Sequence, residues 1–289
     1  MTDVLAILER ASRKMTRLQK DEATRKIEDT LTKKMSSIFS RQGNLFLGEL
    51  SKFRRSFDEA IRPDDWKGAW KKTADETSRT ATVAVEAANT AAWKAGAGKF
   101  VADLGIDQSF SLPNPRAVAF LKEHAAKMVS NIDDTTEGYI RTLMTRAVDE
   151  GWSYDRTAKM LSDRFTQFAV GSPLQHIDSR AHLVATTEAA FGYEHANASI
   201  AGDLGEAGLP MMKSWLTVND GRVDTEDCLP NEKEGWIPAD QDFQDGSSEP
   251  PAHPGCRCSA LYQVDPDFLG PLPDVVQTDT GVQVNVGMT

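Results

Sequence analysis

Three cysteines occur in the chain, and all three fall in one short window: Cys228, Cys256 and Cys258, with His253 beside the last two. The other 258 residues contain none. This clustering is the strongest constraint on how such a chain folds. The first residues, Met-Thr-Asp-Val-Leu-Ala-Ile-Leu-Glu-Arg, hold an apolar stretch too short for a signal peptide, so a reducing compartment is expected. There, grouped Cys and His point to metal or redox chemistry before a disulfide framework. A disulfide would also leave one thiol over.

The local geometry sharpens this. His253-Pro254-Gly255-Cys256 carries Pro and Gly at the two central positions of a type II turn. Such a turn brings its first and fourth Cα atoms within about 7 Å, so His253 and Cys256 become neighbours. Cys258 follows at period two, which puts Cys256 and Cys258 on one face of an extended segment and Arg257 on the other. Cys228 completes a Cys3His set suited to tetrahedral Zn2+. The competing reading is a tight corner packed with small side chains. Four protein ligands would close the site, which argues for a structural rather than a catalytic ion.

The rest of the chain reads as mainly helical. Val4, Leu8, Ala11, Met15 and Leu18 are spaced like the seam of an amphipathic helix, and Ile27, Leu31, Met35 and Ile38 form a second stripe. Arg41 to Asn44 reads as a break. Phe46, Leu50, Phe53, Phe57 and Ile61 then restart the period as far as Pro63. Residues 80–95 favour helix by composition, and Gly96, Gly98 and Gly105 place a boundary by about residue 105. Asn114-Pro115 opens another helix, with Val118, Leu121, Ala125, Met128 and Val129 as its buried stripe. Tyr139, Ile140, Leu143, Met144, Ala147 and Val148 continue helically to Gly151, a left-handed stop. Ser153 caps a helix carrying Ala158, Leu161 and Phe165, and a further helix is expected from about Asp178 to Ile200.

Beyond residue 203 the texture changes to short alternations of Gly, Pro, Trp, Asp and Cys. Lys213 to Val218 and Cys256 to Tyr262 read as strands, the first ending in the turn Asn219-Asp220-Gly221. The expected organisation is a charged helical region over 1–105, a central helical bundle over 106–205, a compact α+β Cys/His module over 206–263 and an extended tail over 264–289. In the tail, Val282, Val284 and Val286 alternate like an edge strand. The fold class is therefore mainly α with a small C-terminal α+β module, stabilised by zinc if the ion binds. No apolar run is long enough to span a membrane.

The residues from Trp215 through Asp220, Arg222 and Val223 to Cys228, then Phe243, Pro250-Pro251, His253-Pro254 and Cys256-Arg257-Cys258, resemble the C-terminal signature of phage Mu F-like minor head proteins, the head morphogenesis family. Val148-Asp-Glu-Gly-Trp-Ser153, with Ala158 to Phe165, is similar to that family's Gly-x-Ser helix junction. Ala185-Thr-Thr-Glu188 is similar to its Ala-Arg-Thr-Glu step, with Thr186 where Arg is typical. The family often has His at the position of Cys228, and both residues ligate zinc. The resemblance covers about residues 135–263. It implies a structural virion protein, not an enzyme. Such a protein is present in few copies inside the head and in the host cytoplasm during assembly. The implied partners are the portal protein and capsid or scaffold proteins, and the implied role is head morphogenesis or genome delivery.

Charge divides the chain. Residues 1–100 hold 20 basic and 14 acidic side chains, a net of +6, whereas residues 201–289 hold 4 and 16, a net of −12. Packaged double-stranded DNA is therefore expected to meet residues 1–100 if it meets the protein at all, and the acidic end suits protein contacts.

Two other classes remain open: a zinc-dependent nuclease or toxin-type enzyme delivered with the genome, and a DNA-binding helical protein. The helix after Gly151-Trp-Ser153 presents Asp155, Arg156, Lys159, Asp163 and Arg164, a mixed-sign face that suits a helical hairpin better than a DNA reader. Asp220, Asp224, Glu226 and Asp227 lack the offsets of a cation loop and read as a solvated acidic turn, with Arg222 in a local ion pair. His124, His176, His182 and His195 lack ligand spacing and read as partly exposed structural residues. Glu188 is either a partner for a cation of the C-terminal module or an ordinary charge on an amphipathic helix.

Overall fold

The computed structural model describes residues 2–52, 63–103, 115–169, 180–218 and 223–268, and the short strands at 276–277 and 283–284. Among the described residues six helices and five strands follow in order: α1 (Thr2–Ser51), α2 (Pro63–Asp103), α3 (Pro115–Asp149), α4 (Tyr154–Ala169), α5 (Arg180–Glu206), β1 (Met211–Leu216), α6 (Cys228–Glu234), β2 (Trp236–Pro238), β3 (Ser259–Val264), β4 (Val276–Gln277) and β5 (Gln283–Val284). The chain is mainly α with a small antiparallel sheet, as the sequence suggests. Among the described residues no helix is long and apolar enough to cross a membrane. The Asn114 cap, Gly105, His176, the Asn219–Gly221 turn with Asp220, Arg222, and Val282 and Val286 lie outside the described residues, as do the side chains of Val4 to Met15 and of Phe53, Phe57 and Ile61.

Two compact units are present, and α1, α2, α3 and α5 each contribute to both. One comprises residues 1–28, 88–121 and 186–289, and the other residues 29–87 and 122–185.

The second unit is helical. Leu31, Met35, Ile38, Phe46 and Leu50 are buried along α1, as their spacing predicts. The expected break at 41–44 is absent, because α1 runs unbroken to Ser51. Gly43 is there for packing: a Cβ built on it would lie 2.7 Å from Cβ of Phe165. Phe165 belongs to an aromatic cluster with Phe46, Trp70 and Phe168, at ring separations of 5.8–6.4 Å. Gln42, one position earlier, donates to Thr77 (3.0 Å) and to Asp133 (3.1 Å), so residues expected to stop the helix face a polar seam instead. On α3, Ile140, Met144 and Ala147 are buried while Tyr139 and Val148 remain 47 % and 46 % exposed. The buried stripe there is narrower than the apolar pattern suggests.

The α3–α4 corner follows the sequence closely. Trp152 N–H donates to the Ala147 carbonyl and Gly151 N–H to that of Val148, with Gly151 at φ +63°, a Schellman stop. Ser153 Oγ accepts from Arg156 N–H (3.3 Å), capping α4.

The first unit carries the sheet. α5 extends past Ile200 to Glu206 and closes in a second Schellman motif: Leu209 N–H donates to the Leu204 carbonyl and Gly208 N–H to that of Gly205. This turn feeds directly into β1. The sheet order is β2-β1-β3, all antiparallel, with Trp215 opposite Ala260 and Lys213 opposite both Ile237 and Tyr262. A core of Trp93, Phe100, Leu121, Ile200, Leu204 and Met211 joins α2, α3, α5 and β1. Helix α2 ends at Asp103, inside the expected boundary range, but Gly96 sits within it. Gly96 packs against the Tyr193 carbonyl, and Gly192 faces the Asn89 carbonyl at 2.6 Å from a built Cβ, so each glycine admits the other helix's backbone. Leu18, expected on an apolar seam, is 53 % exposed. Val284 pairs with Val276 in the β4–β5 hairpin rather than adding to the larger sheet.

Candidate metal centre

Each member of the Cys/His group is delivered by a different piece of local structure. Cys228 opens α6. Asp224 prepares that opening: its Oδ1 accepts from the backbone N–H of Glu226 (2.7 Å) and Asp227 (3.0 Å). Those two bonds hold its carboxyl below the usual range. The acidic turn is thus a folding device at Asp224.

His253 and Cys256 form the expected turn, with Cys256 N–H donating to the His253 carbonyl (3.0 Å) and Gly255 at φ +79°. Only the third position of a type II turn requires that left-handed φ, which glycine supplies without strain. Thr187 on α5 fixes the turn by accepting from Gly255 N–H (2.9 Å). The step at 185–188 therefore meets the Cys/His corner directly.

Among the described residues, Cys228, His253 and Cys256 are the group whose ligand atoms all lie within 4.8 Å of one another. Cys228 Sγ is 3.3 Å from His253 Nε2 and 3.8 Å from Cys256 Sγ. Tetrahedral zinc with bonds of about 2.3 Å to sulfur and 2.0–2.1 Å to nitrogen needs S–S edges of about 3.8 Å and S–N edges of about 3.5 Å. The two edges from Cys228 Sγ stand near those separations. His253 Nδ1 is 3.2 Å from the Pro254 carbonyl. A carbonyl only accepts, so that bond puts the ring proton on Nδ1 and leaves the Nε2 lone pair toward the thiols.

Cys258 is buried in the same apolar pocket as Trp215, Cys228, Ile237, Phe243 and Cys256. Its thiol interacts with those of Cys228 and Cys256 but lies outside the 4.8 Å group. Hydrogen bonds from the Cys228 and Cys258 thiols hold Cys256 down to about 2. The neighbouring Cys256 and Cys258 thiols and partial desolvation push Cys228 up. For Cys258, the bond from Cys228 lowers its value, but donation to Cys256 and burial outweigh this and take it to about 12. A bound cation would displace thiol protons, because thiolate is the ligating form.

The residues the sequence did not single out lie just behind this corner. Lys20 Nζ donates to the Cys258 carbonyl (2.6 Å) and pairs with Glu194 (2.7 Å), and Glu194 Oε2 accepts from Ala260 N–H (3.1 Å). Glu188 accepts from Asn89 (3.0 Å). Glu194 is the carboxylate that takes the ammonium, and that ammonium comes from α1. A Lys some 240 residues away in sequence carries no local pattern by which to find it. His195 pairs with Glu249 (2.9 Å) and stacks on Phe120 and Phe191. His124, His182 and His195 are half-buried, in keeping with a structural role.

No curated protein and no solved structure matches the chain. A family model does match, and it takes in the last third of α3, α4, α5 and the whole Cys/His corner as far as β3. Over residues 138–261 the chain is similar to the family described as Phage Mu protein F like protein.

Proposed function

We propose that the protein is a structural minor component of the head of a tailed bacteriophage. In this reading it resides in the virion near the portal, contacts portal and capsid or scaffold proteins, and serves head morphogenesis or genome delivery. The observation that carries the reading is the match over residues 138–261, which contains all four Cys/His residues and the helices that support them.

The corner serves that role as a fold-holding device. The proposed ion is structural Zn2+, bound by Cys228, His253 and Cys256, with Cys258 turning in from its neighbouring position as fourth ligand. The distances from Cys228 Sγ to His253 Nε2 and Cys256 Sγ, close to the edges of a zinc tetrahedron, and the burial of all three thiols support it. A soft, thiolate-rich set selects zinc over Mg2+ or Ca2+. Four protein ligands leave no position for a substrate, which favours a scaffold over an enzyme. A module with so small a sheet gains folding free energy directly from such an ion.

The charge division supports a reading of the remaining contacts. DNA contact belongs to residues 1–100, with net +6, and protein contact to the acidic C-terminal segment.

Quantitative mass spectrometry of purified heads, from phage with and without the gene, tests the reading. The protein should be present in few copies per DNA-filled head, and its loss should lower the yield of such heads. Particles that lack the protein and form normally without the gene contradict it.

A further inference from the structure

The buried pair Lys20–Glu194 has a role that its position behind Cys258 defines. Lys20 is 3 % exposed and Glu194 fully buried. Strand β3 lies at the outside of the β2-β1-β3 order. At the start of that strand, the Cys258 carbonyl and the Ala260 N–H are bonded not to a neighbouring strand but to the ammonium of Lys20 and the carboxylate of Glu194. The two side chains thereby fix the backbone on both sides of the residue that follows Cys258. One comes from α1, the other from α5.

We propose that Lys20 and Glu194 are positioning residues of the metal centre, so that ion binding and docking of the N-terminal part of α1 are linked. The inference rests on the zinc reading given above. Groups one step removed from a metal orient its ligands, and their loss weakens binding by about 10–100-fold. Here the oriented unit is the backbone that carries Cys258. Removing Lys20 leaves the Glu194 carboxylate buried without its ammonium, a state that drives the local backbone to rearrange or admit water. Thermodynamic reciprocity supplies the second half: what α1 contributes to ion affinity, the ion contributes equally to α1 docking.

The test uses the full chain. Zn2+ affinity is measured by competition with a chromophoric chelator, and Co2+ substitution reports the thiolate ligand field. Lys20→Met should bind Zn2+ 10–100-fold more weakly than wild type, with an altered Co2+ charge-transfer band, and Lys20→Arg should recover part of the affinity. In the wild type, chelation should raise hydrogen exchange at residues 18–28. Equal affinity and an unchanged cobalt spectrum in Lys20→Met overturn the positioning role while leaving the zinc reading intact. A wild type that binds neither ion overturns both. Should Lys20→Met fail to fold, the wild-type exchange experiment decides, and no change at residues 18–28 on chelation overturns the linkage.

Discussion

Gly43 and Gly138 both sit inside long helices, yet they answer to different constraints. A Cβ at Gly43 would fall 2.7 Å from Phe165 Cβ, an atom fixed to its own backbone, whereas nothing lies within 4 Å of a Cβ at Gly138. Gly43→Ala should therefore destabilise by about 1–3 kcal/mol through overpacking. Gly138→Ala should stabilise by about 0.5–1 kcal/mol through helix propensity. Denaturant unfolding of the two variants checks the opposite signs. Glu249 supplies a pH-dependent case. Burial raises its value, but hydrogen bonds from His195 and Ser248 and the nearby charges of His195 and Lys213 outweigh that and hold it below the usual range. A carboxyl with a lowered folded value contributes stability above its unfolded value of about 4.3 and loses it as pH falls through the folded value. Glu249→Gln should lower Tm at pH 7, and the difference from wild type should shrink as pH falls below the unfolded value of about 4.3 and be lost once the folded-state carboxyl is protonated. A Tm difference that persists unchanged at pH 3 would contradict this assignment.

The elements that could be read from sequence are those whose information is local. The Gly151 stop and the Ser153 cap are set by residues within six positions, and the structure has both. Ser153→Ala should cost about 1 kcal/mol, and Gly151→Ala, which forces a side chain to φ +63°, about 1–2 kcal/mol. Thermal unfolding of these two variants against wild type measures both. The type II turn at His253–Cys256 was legible for the same reason. Elements defined by distant partners were not. Gly43 and Gly96 resemble breaks in the sequence, because the atoms that need the missing Cβ, on Phe165 and Tyr193, lie far along the chain. The short helix α6 and strand β2 also escaped. Residues 228–234 contain Pro230 and too few turns for a period, and three-residue β2 is defined by its pairing with β1. At the candidate site the thiols and imidazole were found from their grouping, while Lys20 and Glu194 were not.

At the scale of the whole molecule, the net charge of −10 conceals two ends of opposite sign. The Cys/His corner is where the ends of the sequence come together, since α1, α5 and β3 share the Lys20–Glu194–Cys258 contacts. The family match begins at residue 138, within α3, so α1 and α2 lie before it. The central claim is that the family region is held by a closed metal corner into which α1 is tied. Elemental analysis of the full-length protein, purified without chelators, tests this most directly. It should find one zinc per chain, retained through gel filtration and lost in Cys228→Ala together with a marked fall in Tm. Metal-free protein that takes up no zinc on reconstitution, and whose Tm is unchanged by Cys228→Ala, would contradict the account.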